Sequence, residues 1–311
     1  MSKLTSGVHV VVGAGAVGSA LATQLADAGA EVVVVTRSGA GPDRADVKRL
    51  ALDASSAEAL LAAVPSAAVV YNCVNPPYHR WVQEWPPMAE AFLRYAEATG
   101  AVLATCSNLY GYGPVTVPMT EDLPLAATGT KAKVRVAMWN EALHRNNDGR
   151  IRATEVRGSD YICAGAQSQV GDRVMPRVLA GKGVKLLGDV DQPHTWTSPA
   201  DVARLLAVVG SDERAWGRVW HVPSNAPRTQ RQVVDDLADA ASVPHVKVGV
   251  MPPAMLTMAG WFSPVVRELS ETDYQRTRPY VLDDSAARST FGLEPTAWDA
   301  VLAEQVAAYR T

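Results

Sequence analysis

The chain has 311 residues, 48% of them hydrophobic, with a formal net charge of −3 and a pI near 6.1. That length supplies one large α/β unit or two joined domains with a sizeable core. Basic residues are scattered rather than gathered into a run, which speaks against nucleic acid as a partner. Cys73, Cys106 and Cys163 are odd in number and lack metal-ligand spacing, so a reducing, cytoplasmic setting and no bound metal are expected. Met1 to Gly7 lacks the apolar stretch of a signal peptide and the longest apolar runs are strand-length, so no membrane association is expected.

In chain order, short β-branched runs alternate with Ala/Leu-rich stretches, the pattern of a parallel sheet covered by helices. Strands are predicted at Val8–Val12, Glu31–Thr36, Val47–Leu52, Ala67–Val74, Ala101–Thr105 and Ile151–Val156, mostly continuous apolar runs as in strands buried on both faces. Helices are predicted at Val17–Ala28, Ser56–Val64, Tyr78–Thr99 and Lys131–Asn147, the last with Val134, Ala137, Met138 and Ala142 on one face. Gly29 and Gly100 stand where C-caps belong. The fold class is therefore a Rossmann doubly wound parallel sheet over residues 1–158, with a smaller, irregular C-terminal substrate region over 159–311. Some of that region, about 194–225, returns to the first domain. Helices Pro199–Val209 and Thr229–Ala241 fall there, and Trp298, Val301, Leu302, Val306 and Tyr309 form a core-facing stripe in Thr296–Tyr309.

Directly after the first strand comes Gly13-Ala14-Gly15-Ala16-Val17-Gly18, running into the first helix. Gly13 permits the tight turn, Gly15 lets backbone approach a pyrophosphate, and Gly18 lets helix and strand pack closely, with the helix N-terminus toward the anion. The pattern, in that strand–turn–helix context, predicts a nicotinamide dinucleotide site. At the end of the second strand the chain reads Thr36-Arg37-Ser38, with no carboxylate for a ribose 2′-hydroxyl. Arg37 and Ser38 suit a 2′-phosphate, so NADP is expected over NAD. Asp53 either caps the helix near Ser56 or contacts the adenine side, and Val74 and Asn75 complete the expected cofactor set.

These residues resemble the extended, epimerase/dehydratase-like branch of the short-chain dehydrogenase/reductase superfamily over nearly the whole chain. Thr105–Gly111 is similar to its fifth-strand motif, His194–Val202 to its segment before a C-terminal helix, and Trp220–Val234 to its closing strand and helix. The resemblance implies a Ser or Thr, a Tyr and a Lys in which the phenol moves the proton and Lys holds the nicotinamide ribose. Lys131 corresponds to that lysine, but Ala127 stands where the Tyr belongs and Cys106 where the Ser or Thr belongs. The chain thus resembles an atypical subgroup of NAD(P)-dependent epimerase/dehydratase-like proteins.

Loops leaving the fourth to sixth strands offer the other candidates: Asn75-Pro76-Pro77-Tyr78, Cys106 to Tyr112, and Gly158 to Tyr161. Tyr112, nearer the loop tip, is the stronger substitute phenol, whereas Tyr110 is as readily a buried structural tyrosine. Asn108 orients a carbonyl or holds its own turn, Cys106 is a buried thiol, and Asp160 and His194 are secondary acid/base candidates, His194 in an exposed loop. Trp196 and Tyr161 are core residues before they are pocket walls. The expected function is an NADP-dependent oxidoreductase of a small organic carbonyl, hydroxyl or activated alkene, using Lys131 and Tyr112. A sugar-nucleotide epimerase or dehydratase and a non-catalytic NADP-binding sensor are the alternatives. The partner is a small-molecule substrate, and a homodimer is the expected assembly.

Overall fold

The computed structural model describes residues 4–165, 168–252 and 269–310. It divides into two compact units, one formed by Met1–Gly111, Thr130–Gly158 and Val202–Val222, the other by Tyr112–Gly129, Ser159–Asp201 and Pro223–Thr311. The first is a Rossmann-type doubly wound domain, and the second is a smaller region of short strands and helices.

The first unit holds strands β1 (Val8–Val12), β2 (Glu31–Thr36), β3 (Val47–Ala51), β4 (Val69–Asn72), β5 (Val102–Asn108) and β6 (Arg152–Gly158). After the second unit's β7 (Asp160–Tyr161), β8 (Val184–Leu186) and β9 (Trp196–Thr197), β10 (Arg218–His221) returns to the same sheet. The seven strands run in the order β10-β6-β5-β4-β1-β2-β3, every pair parallel. Val10, Val11 and Val12 of β1 and Val32 to Val35 of β2 are at most 4% exposed, which is why they read as unbroken apolar runs. β3 closes the edge and carries exposed Lys48 and Arg49, charges that discourage further strand pairing.

Helices α1 (Ala16–Asp27), α2 (Ala57–Ala63), α3 (Trp81–Thr99), α4 (Thr130–Asn147) and the greater part of α6 (Pro199–Ser211) complete this unit; α5 (Met175–Leu179) lies in the other. Gly100 ends α3 at φ +70°, and Gly29, at φ +80°, follows the last residues of α1, both left-handed positions that glycine adopts without a Cβ clash. The predicted buried face of α4 needs correction. The structure buries Lys131, Ala132, Arg135, Trp139, Ala142 and Arg145, while Val134 and Met138 are half-buried and Ala137 is exposed. The face turns toward aromatic rings that accept cations: the Arg135 guanidinium lies 4.8 Å and 4.3 Å from the Trp81 and Trp85 ring centres.

β5 runs three residues beyond its predicted end, because β6 pairs it as far as Asn108 opposite Gly158. Cys106, Ser107 and Asn108 therefore belong to a strand, and the loop starts after them. The sheet changes winding direction between β1 and β4, which pair from His9 opposite Val69 to Val12 opposite Asn72. Past the carboxyl ends of those two strands lies the crevice where this architecture places its ligands.

The second unit pairs β7 with β9 and β8 with β11 (Val248–Val250). One of its cores gathers Trp196, Val233, Leu237, Trp298, Val301, Leu302 and Val306, with Tyr309 packed against it, so the terminal stripe faces inward. Thr229 caps α7 (Gln230–Ala240) through a reciprocal capping box with Gln232.

Candidate active site in the first unit

The glycine turn is shaped by close approaches that no side chain tolerates. Gly13 has φ +98°, and a Cβ there would lie 2.7 Å from the Cys73 carbonyl oxygen at the end of the neighbouring strand path. A Cβ on Gly18 would meet the Gly13 carbonyl oxygen at 1.9 Å. Around Gly15 there is nothing within 4 Å. Gly15 is also the N-cap of α1 and supplies no side-chain acceptor, and the first turn, opened by Ala16 and Val17, carries no acidic residue. The N–H groups at this helix end and the open space before Gly15 fit a diphosphate.

A cleft of about 520 Å³ opens beside this turn, with Gly13, Gly15, Arg37, Asp53, Val74 and Asn75 among its walls. The structure thus gathers six of the predicted cofactor residues around one space. Ala16, Val17, Gly18, Ser38, Lys131 and Tyr112 are not among those walls. Arg80, Glu84 and Met88, from the start of α3 and the turn before it, also line the cleft and had no signature in the sequence. Asp53 does not cap α2; Ser56 does, accepting from Ala59 N at 3.1 Å. The Asp53 carboxylate instead accepts from Ser55 N and Oγ at 3.0 and 2.9 Å. Those bonds from Ser55, and the charge of Arg37, hold it below the usual aspartate range.

The other predicted residues lie elsewhere. Asn108 Oδ1 accepts from Tyr110 N at 3.1 Å, the turn-holding role. Lys131, in the first turn of α4, is 2% exposed, and its Nζ stands 5.8 Å from the centre of the Tyr78 ring. The Tyr78 hydroxyl meets the Tyr110 hydroxyl at 2.6 Å, and both rings pack on Trp81, Tyr78 edge-on and Tyr110 stacked. Trp81 is fixed in turn by its Nε1 donating to the Pro76 carbonyl at 2.8 Å. Tyr112 ends the short 3-10 turn Tyr110–Tyr112 and is 2% exposed. The sequence placed Tyr78 at the end of a loop and the start of a helix and gave it no chemical role. The signal lay in two spacings read together: Trp81 and Trp85 four apart on one helix, Lys131 and Arg135 four apart on another.

In the second unit, His194 is 4% exposed rather than in an exposed loop, because its ring packs at a tilt against those of Trp196 and Tyr280 and its Nδ1 lies 3.2 Å from the Gln275 carbonyl. Its Nε2 lies 3.1 Å from Asp160 Oδ2. Burial pushes the Asp160 carboxyl up, but the hydrogen bond and charge of His194 outweigh it and leave the group below its usual value. The three cysteines are free thiols, with Cys73 pushed up by burial. Among the described residues no helix is long and apolar enough to cross a membrane, and no three His, Cys, Asp or Glu side chains are grouped to hold a metal.

A glycine turn at the switch point of a doubly wound sheet, beside a cleft of this size, defines a nicotinamide-dinucleotide-binding enzyme class. Residues 9–222 match the family model described as the NAD dependent epimerase/dehydratase family, and the chain belongs to that family. No curated protein matches the sequence significantly. Among solved structures, the epimerase Mth375 from Methanothermobacter thermautotrophicus superposes with a TM-score of 0.81 at 16% identity, covering 99% of this chain and 93% of that one. The dTDP-glucose 4,6-dehydratase of Bacillus anthracis, in complex with NAD, gives 0.76 at 16% identity over 97% and 96% of the two chains. The Bordetella bronchiseptica enzyme WbmG, in complex with NAD, gives 0.75 at 18% identity over 98% and 94%.

These findings overturn the expected NADP preference and, with it, the expected NADP-dependent oxidoreductase. The family is NAD dependent, and both of the complexes above hold NAD. The physical reason is visible at the end of β2. The Thr36 hydroxyl donates to the Ala40 carbonyl at 2.9 Å, and Ser38 Oγ accepts from Ala40 N at 3.4 Å, so both hydroxyls serve the loop. The charge of Arg37 is answered by ionised Asp53 in the same cleft, which would repel a 2′-phosphate.

Proposed function

We propose that the protein is an NAD-dependent epimerase- or dehydratase-type enzyme acting on a sugar nucleotide. The observation that carries this reading is the family match over residues 9–222, on a chain whose glycine turn and cleft fit the dinucleotide. The named relatives with dTDP-glucose dehydratase and epimerase activities support the substrate class.

In this reading the backbone from Gly13 to Gly18 and the N-terminus of α1 hold the diphosphate. Asp53 and Arg37 face the adenosine side, Val74 and Asn75 border the path from there, and Lys131 holds the nicotinamide ribose. Bound NAD supplies the reversible oxidation of a sugar carbinol carbon. The chain's own task is the proton of that hydroxyl, which needs a phenol or another acid/base group beside Lys131. Tyr78, from the turn before α3 and in the same unit as Lys131, is its phenolic candidate, whereas Tyr112, the phenol expected from sequence, belongs to the other unit.

The test is incubation of the purified protein and NAD with a panel of UDP- and dTDP-hexoses, with products resolved by NMR. Appearance of an epimer or a 4-keto-6-deoxy sugar is the expected result. Turnover of none of the panel, with NADP bound more tightly than NAD, would overturn the reading.

A further inference from the structure

We infer that Tyr78 is the proton-transferring phenol of this site, with Lys131 as its charge partner and Tyr110 as its hydrogen-bond partner. The inference rests on the function proposed above only for the identity of the substrate. Three features of the first unit carry it. The Lys131 ammonium, on a residue 2% exposed, sits within 5.8 Å of the Tyr78 ring centre. A cation kept out of water beside a phenol favours the phenolate, which is the form that accepts a proton. The Tyr110 hydroxyl stands 2.6 Å from that of Tyr78, and Tyr110, stacked on Trp81 and 8% exposed, is held where it can donate to the phenolate oxygen. Finally, Tyr78 itself is half-buried, and its chain neighbours Pro76 and Arg80 line the cofactor cleft. Tyr78 is not itself a wall of that cleft, but of the two phenols it is the more exposed, since Tyr112 is 2% exposed.

The arrangement restores from another part of the chain what Ala127 lacks. In the family's pattern the phenol sits one helical turn before the lysine; here it arrives from the turn before α3. In the oxidative direction the sugar O–H bond breaks, its proton passes to the Tyr78 oxygen, and the electron pair left on oxygen forms the C=O bond as the carbinol C–H hydrogen departs with its own pair, for which bound NAD would be the acceptor. The reverse step returns both. Tyr110 keeps its own proton throughout and donates a hydrogen bond to the Tyr78 oxygen.

The decisive experiment is a pH titration of tyrosinate absorbance in the unliganded protein, which needs no substrate. Unaltered protein should show an early ionisation step that Tyr78→Phe deletes and that Lys131→Met and Tyr110→Phe displace to higher pH. Tyr112→Phe should leave that step in place. An early step that survives Tyr78→Phe, or that ignores Lys131→Met, overturns the assignment. Should Tyr78→Phe fail to fold, the Lys131 and Tyr110 variants decide alone, since indifference of the step to both contradicts the couple. Once a sugar-nucleotide substrate is in hand, Tyr78→Phe should lower kcat by at least roughly a hundredfold with NAD affinity little changed. Absence of any sugar-nucleotide turnover alongside an intact Tyr78 step would defeat the substrate reading and leave the couple standing.

Discussion

Asp53 and Arg37 face one cleft from the ends of adjacent strands, and their opposite charges set what the adenosine side of a dinucleotide meets. A 2′-phosphate placed there gains the guanidinium but meets the carboxylate, each contact being of order 1–4 kcal/mol near a surface. Asp53→Asn removes the repulsion and keeps the shape, so the ratio of NADP to NAD affinity should rise by roughly tenfold. Titration of both nucleotides checks this, and an unchanged ratio would show that Asp53 plays no part in the choice. The glycine turn supports a second contrast. Gly18→Ala forces a Cβ against the Gly13 carbonyl at 1.9 Å and should destabilise the fold by about 1–3 kcal/mol in denaturant unfolding. The Cβ of Gly15→Leu meets no atom within 4 Å, so the variant should unfold close to the unaltered protein while losing measurable NAD binding. NAD binding retained by Gly15→Leu would mean the diphosphate lies elsewhere.

Along α3 and α4 the contacts that matter are between residues distant in the chain. Arg145 of α4 reaches Glu141 on its own helix and Glu90 and Glu97 on α3, with 9% of its side chain exposed. The three carboxylates are 25–48% exposed and can rehydrate, so Arg145→Met, which keeps the apolar stem, should cost near 1 kcal/mol rather than the several expected of a sealed pair. The hydrogen bond from Arg145 holds Glu141 below its ordinary value of 4.5. A depressed carboxylate contributes its stability above the unfolded value and loses it as pH falls through the folded one. The stability gap between unaltered protein and Arg145→Met should therefore be constant above about pH 5 and shrink below pH 4.5. A gap independent of pH would place the effect of Arg145 in packing. Such pairs explain what sequence could and could not show. β1, β2 and β4 were legible because strands buried on both faces are mostly apolar, as in Val10–Val12, Val32–Val35 and Val69–Tyr71, and the glycine turn because its sterics are local. The end of β5 was obscured by Ser107, a polar residue only 4% exposed whose strand partner is Arg157. The inward face of α4 was obscured because two of its buried residues, Lys131 and Arg135, are cations that find aromatic rings from α3 and the turn before it. The choice of cofactor was misread because the hydroxyls of Thr36 and Ser38 are committed to a loop whose shape no spacing encodes.

Across the first unit, three separate chain segments contribute to one seven-stranded sheet, yet the cofactor cleft is lined only by residues between Val12 and Met88. The strands β5, β6 and β10 lie on the far side of the switch point, joined to β4 and β1 by an unbroken series of parallel ladders. A ligand that binds only folded protein stabilises by RT ln(1 + [L]/Kd), about 2.7 kcal/mol at one hundred times Kd. Where that increment is felt depends on whether the sheet opens as one body or in parts. The paired backbone leaves no gap at which β10 could part from β6 without exposing Trp220, a fully buried side chain, so opening in one body is expected. In native-state hydrogen exchange, saturating NAD should then slow the most protected amides of β10 by about the same factor as those of β1, roughly a hundredfold at one hundred times Kd. In Gly15→Leu neither set should respond. Slowing confined to β1, β2, β3 and β4 would show that the two halves of the sheet open independently, and that NAD stabilises only the half that touches it.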